Sequence, residues 1–520
     1  MSKDYLKISR ATDINDFKDR FIYRVLEIMP GFLAWATLLA VIFLSWRLPA
    51  VMAIFIILFD IYWFFKTIYL SFHLHPAYRQ MKKNLKINWL EKLNQLPVTN
   101  YKLPFSSWQS LYHLIILPIY KEEIGVVRDC FKNLVKSNYP QERFIVVLAV
   151  EERAKDSALQ AVKEIEKEFG DEFFRFLIIW HPANIPGEMA GKSSNIAWAG
   201  HRVKEIVIDP LKIPYENIIV SIFDIDTNVP QNFFACLTYH YLTADKPLRS
   251  SFQPIPIYVN NIWQAPAFSR IFAFSNTFWQ MMQQSRSERL VTFSSQSIGF
   301  KALVDIDFWS PNVVNEDSRI FWQCLLFYDG DWQTVPLFYP VYMDANVAST
   351  LWQTFKNQYK QIRRWAYGVE NNPYFLFGFL KNKKIPLFKK WHHSWFTIEM
   401  THSLATNSLL IFLLGWLPLV LGGQEFKTTI LAFNLPQLTS WIMMIAMIGI
   451  PTSAMLSILL LPKRPANFGR FKYFWMFIQW LLVPLNLIFF GAIPALEAQT
   501  RLMLGKYLGF WTTPKVRNKS

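Results

Sequence analysis

Apolar positions fall along the chain in two regimes. From Gly31 to Trp46, from Val51 to Phe72, and again near residues 403–422, 438–461 and 471–494, they run almost without interruption. Runs of that length can cross a ~30 Å hydrocarbon core as helices, which satisfy their backbone groups internally. From about His73 to His393 the runs shorten. His113-Leu-Ile-Ile-Leu-Pro118, Phe144-Ile-Val-Val-Leu-Ala-Val150, Phe176-Leu-Ile-Ile-Trp180 and Asn217-Ile-Ile-Val220 have the length and composition of buried strands. Glu122 to Tyr139 carries Val126, Cys130 and Leu134 at four-residue steps, and Lys155 to Phe169 is charged throughout, so both predict helices. Strand alternating with helix predicts a parallel, doubly wound α/β sheet set between apolar helices.

Three amphipathic stretches complete the pattern. In residues 12–28, Ile14, Phe17, Phe21 and Val25 share a face flanked by Lys18, Arg20 and Arg24, which suits a helix lying in a membrane surface or one packed on a soluble domain. Residues 262–282 are apolar enough to resemble a span, yet they separate motifs that must share one site. They are therefore expected to lie at the interface, with Phe272 and Trp279 at headgroup level. In Leu351 to Tyr367, one face holds Leu351, Phe355, Tyr359, Ile362 and Ala366. Lys356, Lys360 and Arg363 lie beside it, placed to meet lipid phosphates, and Gln361, Arg364 and Trp365 form a third face.

The expected organisation is an interface segment at 1–28, a two-helix membrane hairpin at 29–72 turning at Leu48-Pro49, an α/β domain with interface helices at 73–392, a second membrane region at 393–497 and a basic tail at 498–520. Lys and Arg are plentiful before Gly31 and from Arg79 onward, which places the domain in the cytosol, on an inner or plasma membrane. Three C-terminal spans would put the basic tail outside. Either one segment is re-entrant, with the one broken by Pro484 as the candidate, or the tail violates the charge rule.

With 520 residues, 52% of them hydrophobic, the chain is too long and too apolar for one simple soluble domain. The net charge of +16 sits beside apolar segments, which fits an anionic leaflet better than nucleic acid. Aromatic residues make up 17% of the chain, an enrichment that fits membrane interfaces and sugar-binding surfaces. Cys130, Cys236 and Cys324 are odd in number and far apart, so neither a disulfide framework nor a metal cluster is expected. No cleavable leader pattern opens the sequence, and no secretory signal peptide is expected.

Chemistry concentrates at the ends of the predicted strands, where ligands of open α/β sheets sit. Asp224-Ile-Asp226 follows the Asn217–Val220 strand, and two carboxylates so placed offer hard oxygens to Mg²⁺ or Mn²⁺. The same residues also suit an ordinary strand-to-turn boundary. Pro118-Ile-Tyr-Lys-Glu122 ends the first strand, Glu151-Glu152 the second, and Gly191-Lys192-Ser-Ser-Asn195 precedes the D-x-D strand. Asn315-Glu316-Asp317 offers an acid or base and equally a helix cap. Gln361-Ile-Arg-Arg364-Trp365 offers a cation and a flat ring, and equally a membrane-surface anchor. Lys192 and Asn195 suit a structural role as well as a binding one.

The D-x-D, E-D and Q-x-x-R-W motifs, in that order and between membrane spans, resemble the membrane-embedded family 2 glycosyltransferases, which include cellulose, chitin and hyaluronan synthases. The resemblance covers roughly residues 110–370 and extends to the flanking spans. It implies a GT-A fold, inverting transfer from a nucleotide-diphosphate sugar, and a divalent metal, Mg²⁺ or Mn²⁺. Matched position by position, Pro118, Glu122 and Glu151 fall on the nucleotide site, and Asp224 and Asp226 on the metal-bridged phosphates. Asp317 falls on the catalytic base with Glu316 beside it. Gln361, Arg364 and Trp365 fall on the motif that holds donor diphosphate and acceptor sugar. Lys192 and Asn195 join the donor side on the weaker glycine-lysine stretch. The acceptor is a growing glycan or, as in related enzymes with the same motif, a lipid. Phe293-Ser-Ser-Gln-Ser-Ile-Gly299 departs from the Cys- or Gly-rich stretch usual before E-D, and Glu151-Glu152 stands where aspartates are usual. A polytopic transporter or inactive scaffold is the alternative of another class. It would carry its polar residues inside its spans, which here hold few charges, Asp60 and Lys66, with Glu399 and His402 just outside another.

Overall fold

The computed structural model describes residues 4–514 apart from Pro104 and Ser106, so the final basic residues of the expected tail lie outside it. At its centre is a seven-stranded sheet of order β3-β2-β1-β4-β6-β5-β7. The strands are β1 Tyr112–Ile119, β2 Phe144–Glu151, β3 Arg175–His181, β4 Ile218–Ile222, β5 Ser250–Tyr258, β6 Ser297–Gly299 and β7 Gln333–Met343. β1 to β4 are the four expected strands and pair in parallel, with Pro118 opposite Ala149 and Ile116 opposite Ile222. Their side chains alternate between two cores. Ile115 and Leu117 face Val126, Phe131 and Ile165 on one side, while Leu114 and Ile116 face Ile196, Ala199 and Phe321 on the other. Both faces are covered by helices, which explains strands that are apolar at nearly every position.

The wholly parallel expectation is corrected here, because the sheet is mixed. β6 runs antiparallel to both β4 and β5, and β5 pairs in parallel with β7. β6 is three residues long, and β5 and β7 carry Pro254, Pro256, Pro336 and Pro340, which argue against interior strands. The structure tolerates them because β6 pairs with β5 only at Ser251 and Phe252, and the β5–β7 register slips between Gln253 and Ile255.

Among the described residues four helices are long and apolar enough to cross a membrane: Phe17–Arg47, Pro49–Asn84, Ile430–Leu459 and Lys472–Met503. A fifth apolar element, Leu387–Phe412 with Leu414–Leu421, bends by 50°. The first helix is continuous. Asp16 caps it by accepting from the Asp19 amide at 2.8 Å, and of the amphipathic segment expected at 12–28, residues 17–28 are its first turns rather than a separate helix. Ile14 is buried among Tyr23 and Phe377, apart from the exposed Phe17 and Phe21.

Two helices join the sheet to the apolar region. Ala267–Gln284 packs on β5 and on Pro49–Asn84. Its aromatic rings turn inward, Phe272 against Trp365 at 5.8 Å and Trp279 against Phe293 at 4.9 Å, rather than outward to headgroups. Leu351–Ala366 packs on the last apolar helix. Arg363, expected beside lipid phosphate, donates to Glu497 at 2.7 Å, and the Tyr359 hydroxyl donates to the same carboxylate at 2.8 Å.

All three cysteines are buried and free, and burial holds the Cys236 and Cys324 thiols well above their usual range. In mild detergent the native protein is expected to present no thiol to Ellman's reagent, and the denatured protein all three. Rapid reaction of any thiol before unfolding would contradict this packing.

Candidate active site

The site forms where β1, β2 and β4 end and four connections converge. β4 stops at Ile222, and Asp224 and Asp226 follow in the turn. Lys192 begins the Lys192–Val203 helix, and Glu316 and Asp317 begin the Glu316–Phe327 helix. These distant segments meet on one ammonium. Lys192 Nζ lies 3.0 Å from Asp224 Oδ1, 2.9 Å from Glu316 Oε1 and 3.1 Å from Asp317 Oδ1. Lys192 is 8% exposed. Burial alone would favour its neutral form, but Asp224, Asp317 and Glu316 together hold it charged, its pKa well above the usual lysine value.

One ammonium cannot neutralise three carboxylates, and the excess negative charge favours a proton on Asp317. Its side chain is 24% exposed. Burial, then the neighbouring Glu316 and Asp224 charges, raise its pKa to about 7 against the opposing pull of Lys192. A carboxylate tuned to that range suits proton transfer near neutral pH.

Asp226 is fully buried, and its Oδ2 accepts from the Asp344 amide at 3.0 Å. The Asn260 side chain donates to the Asp226 carbonyl at 2.9 Å. Asp224 accepts from the Ser294 hydroxyl at 2.9 Å. Ser294 belongs to the 293–299 stretch, which Gln253 pins by accepting from the Phe293 amide at 2.8 Å and donating to the Ser294 carbonyl at 3.1 Å.

The remaining sequence-predicted residues surround this cluster. Asn195 donates to the Ala149 carbonyl of β2 at 2.8 Å, a tie between helix and sheet. Glu151, at the end of β2, is bonded by Arg153, whose guanidinium lies 4.5 Å above the Tyr120 ring. Glu122 folds back to accept from the Tyr120 amide at 2.7 Å. Pro118, Glu122 and Glu151 thus line the ends of β1 and β2. On the opposite side the Asn315 side chain donates to the Arg364 carbonyl at 2.9 Å, tying the E-D turn to the Q-x-x-R-W helix. Gln361 and Trp365 line a small recess with Tyr258 and Asn346. Burial first, then Asp224, Asp226 and Asp317, push the Tyr258 hydroxyl far above its usual pKa, so this recess adjoins the carboxylates.

Several residues at the site were not legible as functional. Gln253 is a polar position in a stretch without a motif, and Ser294 lies in the 293–299 stretch, which drew attention only as a departure from the family pattern. The last described residues also return to the site: the Arg364 guanidinium lies 4.9 Å from the Phe510 ring, and a Cβ on Gly191 would meet Phe510 at 2.6 Å. Glu370 is buried and accepts from the Val314 and Asn315 amides at 2.9 and 3.1 Å, which holds the turn that presents Glu316 and Asp317. Its only sequence signal is a lone charge after an apolar turn.

No protein-family model and no curated protein matches the sequence. Among solved structures, the chain is similar to the mannosyltransferase PcManGT from Pyrobaculum calidifontis, solved with GDP-Man and Mn²⁺, at 14% identity and TM-score 0.44 over 85% of this chain and 99% of that one. It is similar to residues 1-349 of S. aureus TarS, solved with UDP, at 11% identity and TM-score 0.36 over 76% and 93% of the two chains. At such TM-scores the likeness says nothing about activity, which rests on the residues of the site.

Glu370→Ala leaves two buried amides without an acceptor and is expected to cost about 2–4 kcal/mol. Glu370→Gln keeps an acceptor oxygen and should cost less than half of that. Thermal unfolding in detergent measures both, and equal losses would mean that the carboxylate charge, not the two amide bonds, matters.

Proposed function

We propose that the chain is an inverting glycosyltransferase with a GT-A domain set between membrane helices and facing the cytosol, resembling family 2 synthases and acting as a processive polysaccharide synthase. The observation that carries this is the single ammonium of Lys192 shared by the D-x-D and E-D carboxylates. An excess of carboxylate beside one buried cation, at the ends of parallel strands, suits a site that takes up a phosphorylated donor with its own cation.

Asp224 and Asp226 would hold Mg²⁺ or Mn²⁺ together with the donor diphosphate. Phosphate oxygens of the donor would supply further ligands to that cation. When bound, that cation would neutralise charge on the leaving diphosphate. Pro118, Glu122 and Glu151 take the nucleotide end, and Lys192 and Asn195 support the donor side. The acceptor hydroxyl oxygen attacks the anomeric carbon. The anomeric C–O bond to the diphosphate breaks with its electron pair leaving on the phosphate, and the hydroxyl proton passes to Asp317, with Glu316 beside it. Arg364 adds positive charge for the leaving group, and Gln361 and Trp365 hold the acceptor ring.

Purified protein given a panel of labelled nucleotide sugars tests the class. Asp317→Asn is expected to bind donor nearly normally and to transfer at least about a hundredfold more slowly. A raised carboxylate pKa leaves the base protonated below that value, so kcat/KM should fall as pH drops through about 7. Near-normal turnover in the variant would leave Asp317 as a helix cap.

Donor binding is expected to require the metal. Calorimetry should show donor affinity lost in EDTA and in Asp226→Asn, with the fold retained. Unchanged affinity in both would remove the metal from the site.

A further inference from the structure

Two arginines lie where the α/β domain meets the apolar helices, and neither belongs to the site described above. After Ala267–Gln284 the chain passes, over Ser285 to Leu290, between Pro49–Asn84 and Leu387–Phe412. The Ser285 hydroxyl donates to the His73 carbonyl of the first helix at 3.1 Å, and His392 Nε2 of the second donates to the Glu288 carbonyl at 3.2 Å. The Arg286 guanidinium lies 5.7 Å from the Tyr69 ring on one helix, and that of Arg289 lies 3.3 Å from the Phe396 ring on the other. Both helices pack on Phe17–Arg47 but only sparsely on one another. This loop bridges the space between them and so, one turn deeper in each, does the Lys66–Glu399 ion pair.

The charges at the loop do not balance. Glu399 is taken by Lys66, and Glu288 stands 3.5 Å from Arg289 Nε without a hydrogen bond. Arg286 is 7% exposed, and among the described residues no carboxylate pairs with it. Burial, then repulsion from Arg286, lower the Arg289 pKa, so the two cations feel one another. Both Nε atoms are buried without partners, while the outer guanidinium nitrogens are left to reach the surface.

A guanidinium drawn out of water without a counter-ion is costly, and stacking on a ring offsets only part of that cost. Two of them side by side favour an anion with several acceptor oxygens, and phosphate meets their forked donors best. The surroundings say which phosphate. Phe65, Tyr69 and Phe72 share a face of Pro49–Asn84 and are exposed, as is Trp395 beside Phe396. The apolar run of 51–72 ends immediately before His73, so the arginines stand at its head. Free phosphate gains nothing from those rings, whereas acyl chains do. Basic pockets between membrane helices suit anionic headgroups. We propose that Arg286 and Arg289 bind the phosphate of an anionic membrane phospholipid, whose acyl chains lie along the face of Phe65, Tyr69 and Phe72. Beyond Arg289 the same segment reaches Thr292, whose hydroxyl donates to the Asp317 carbonyl at 2.6 Å, and Ser294 on Asp224. The lipid contact thus lies on the stretch that touches both acidic motifs. The binding is independent of the reaction proposed above and is measured without turnover.

The test uses the full-length protein in an uncharged detergent, with phosphatidylglycerol, phosphatidylcholine of the same chains, and inorganic phosphate as probes. Native mass spectrometry counts retained lipid, and thermal unfolding follows its effect. Phosphatidylglycerol is expected to bind saturably and to raise the unfolding temperature, while phosphatidylcholine and inorganic phosphate leave it unchanged. In Arg286→Gln and in Arg289→Gln the Kd for phosphatidylglycerol should rise about tenfold or more. Lys463→Gln with Arg470→Gln removes charge from the exposed basic loop before the last apolar helix and should leave that Kd within about twofold. Because both guanidiniums also pack on rings, wild-type protein carries a test of its own, which holds even where a glutamine variant fails to fold. Equal binding of phosphatidylcholine and phosphatidylglycerol to wild type overturns the proposal. Inorganic phosphate stabilising as much as the lipid would mean a soluble anion site and also overturns it. So does an equal loss of binding in the Lys463 and Arg470 variant, which would mean diffuse attraction to the whole basic surface.

Discussion

One buried ammonium surrounded by three carboxylates is the constraint around which the centre of this molecule is arranged. Like charges 4 Å apart repel by about 4 kcal/mol at an effective dielectric of about 20, so Asp224, Glu316 and Asp317 cannot gather without a cation among them. Lys192 supplies it from the first turn of its helix. The arrangement ties the chain at residues 192, 224 and 316–317 to one point. Everything nearby is organised to hold those three places: Gln253 and Ser294 from behind Asp224, Glu370 behind the E-D turn, and Asn195 between helix and sheet. It also leaves a surplus of negative charge. That surplus accounts for the raised Asp317, and it is what an incoming cation with its phosphates would relieve.

The parts of the fold legible in the sequence are those where local pattern and tertiary setting agree. β1 to β4 are apolar at nearly every position because both faces are covered, and they could be placed to within a residue or two. β5, β6 and β7 escaped notice for physical reasons. β6 is too short to leave a pattern, and the prolines of β5 and β7 are accommodated by a register slip and by the absence of a partner along part of β5. The interface helices were misplaced for a related reason. An aromatic stripe looks the same whether it meets headgroups or other rings, and in Ala267–Gln284 it meets Trp365 and Phe293.

At the site, motif spacing brought attention to Lys192, Asp224, Glu316 and Asp317, and the structure places them together. What the sequence did not disclose was the role of Lys192 as a shared counter-ion, because a lysine after a glycine fits many settings. Gln253 and Glu370 were invisible as well. Each acts through a few hydrogen bonds, and single polar residues in apolar surroundings carry no periodic signal.

The return of the C-terminal stretch to the site puts a parity condition on any membrane arrangement of the chain. Phe510 lies against Arg364 and Gly191, while near the other end Ser9 donates to Asn312 at 2.5 Å. Both ends of the described chain thus sit on the same domain. A polymer that leaves one compartment and comes back to it crosses the boundary an even number of times. Two long apolar helices precede the domain and two follow the bent element. Were all four to cross a membrane, the bent element would have to enter and leave through the same face, with its 50° break as the turning point.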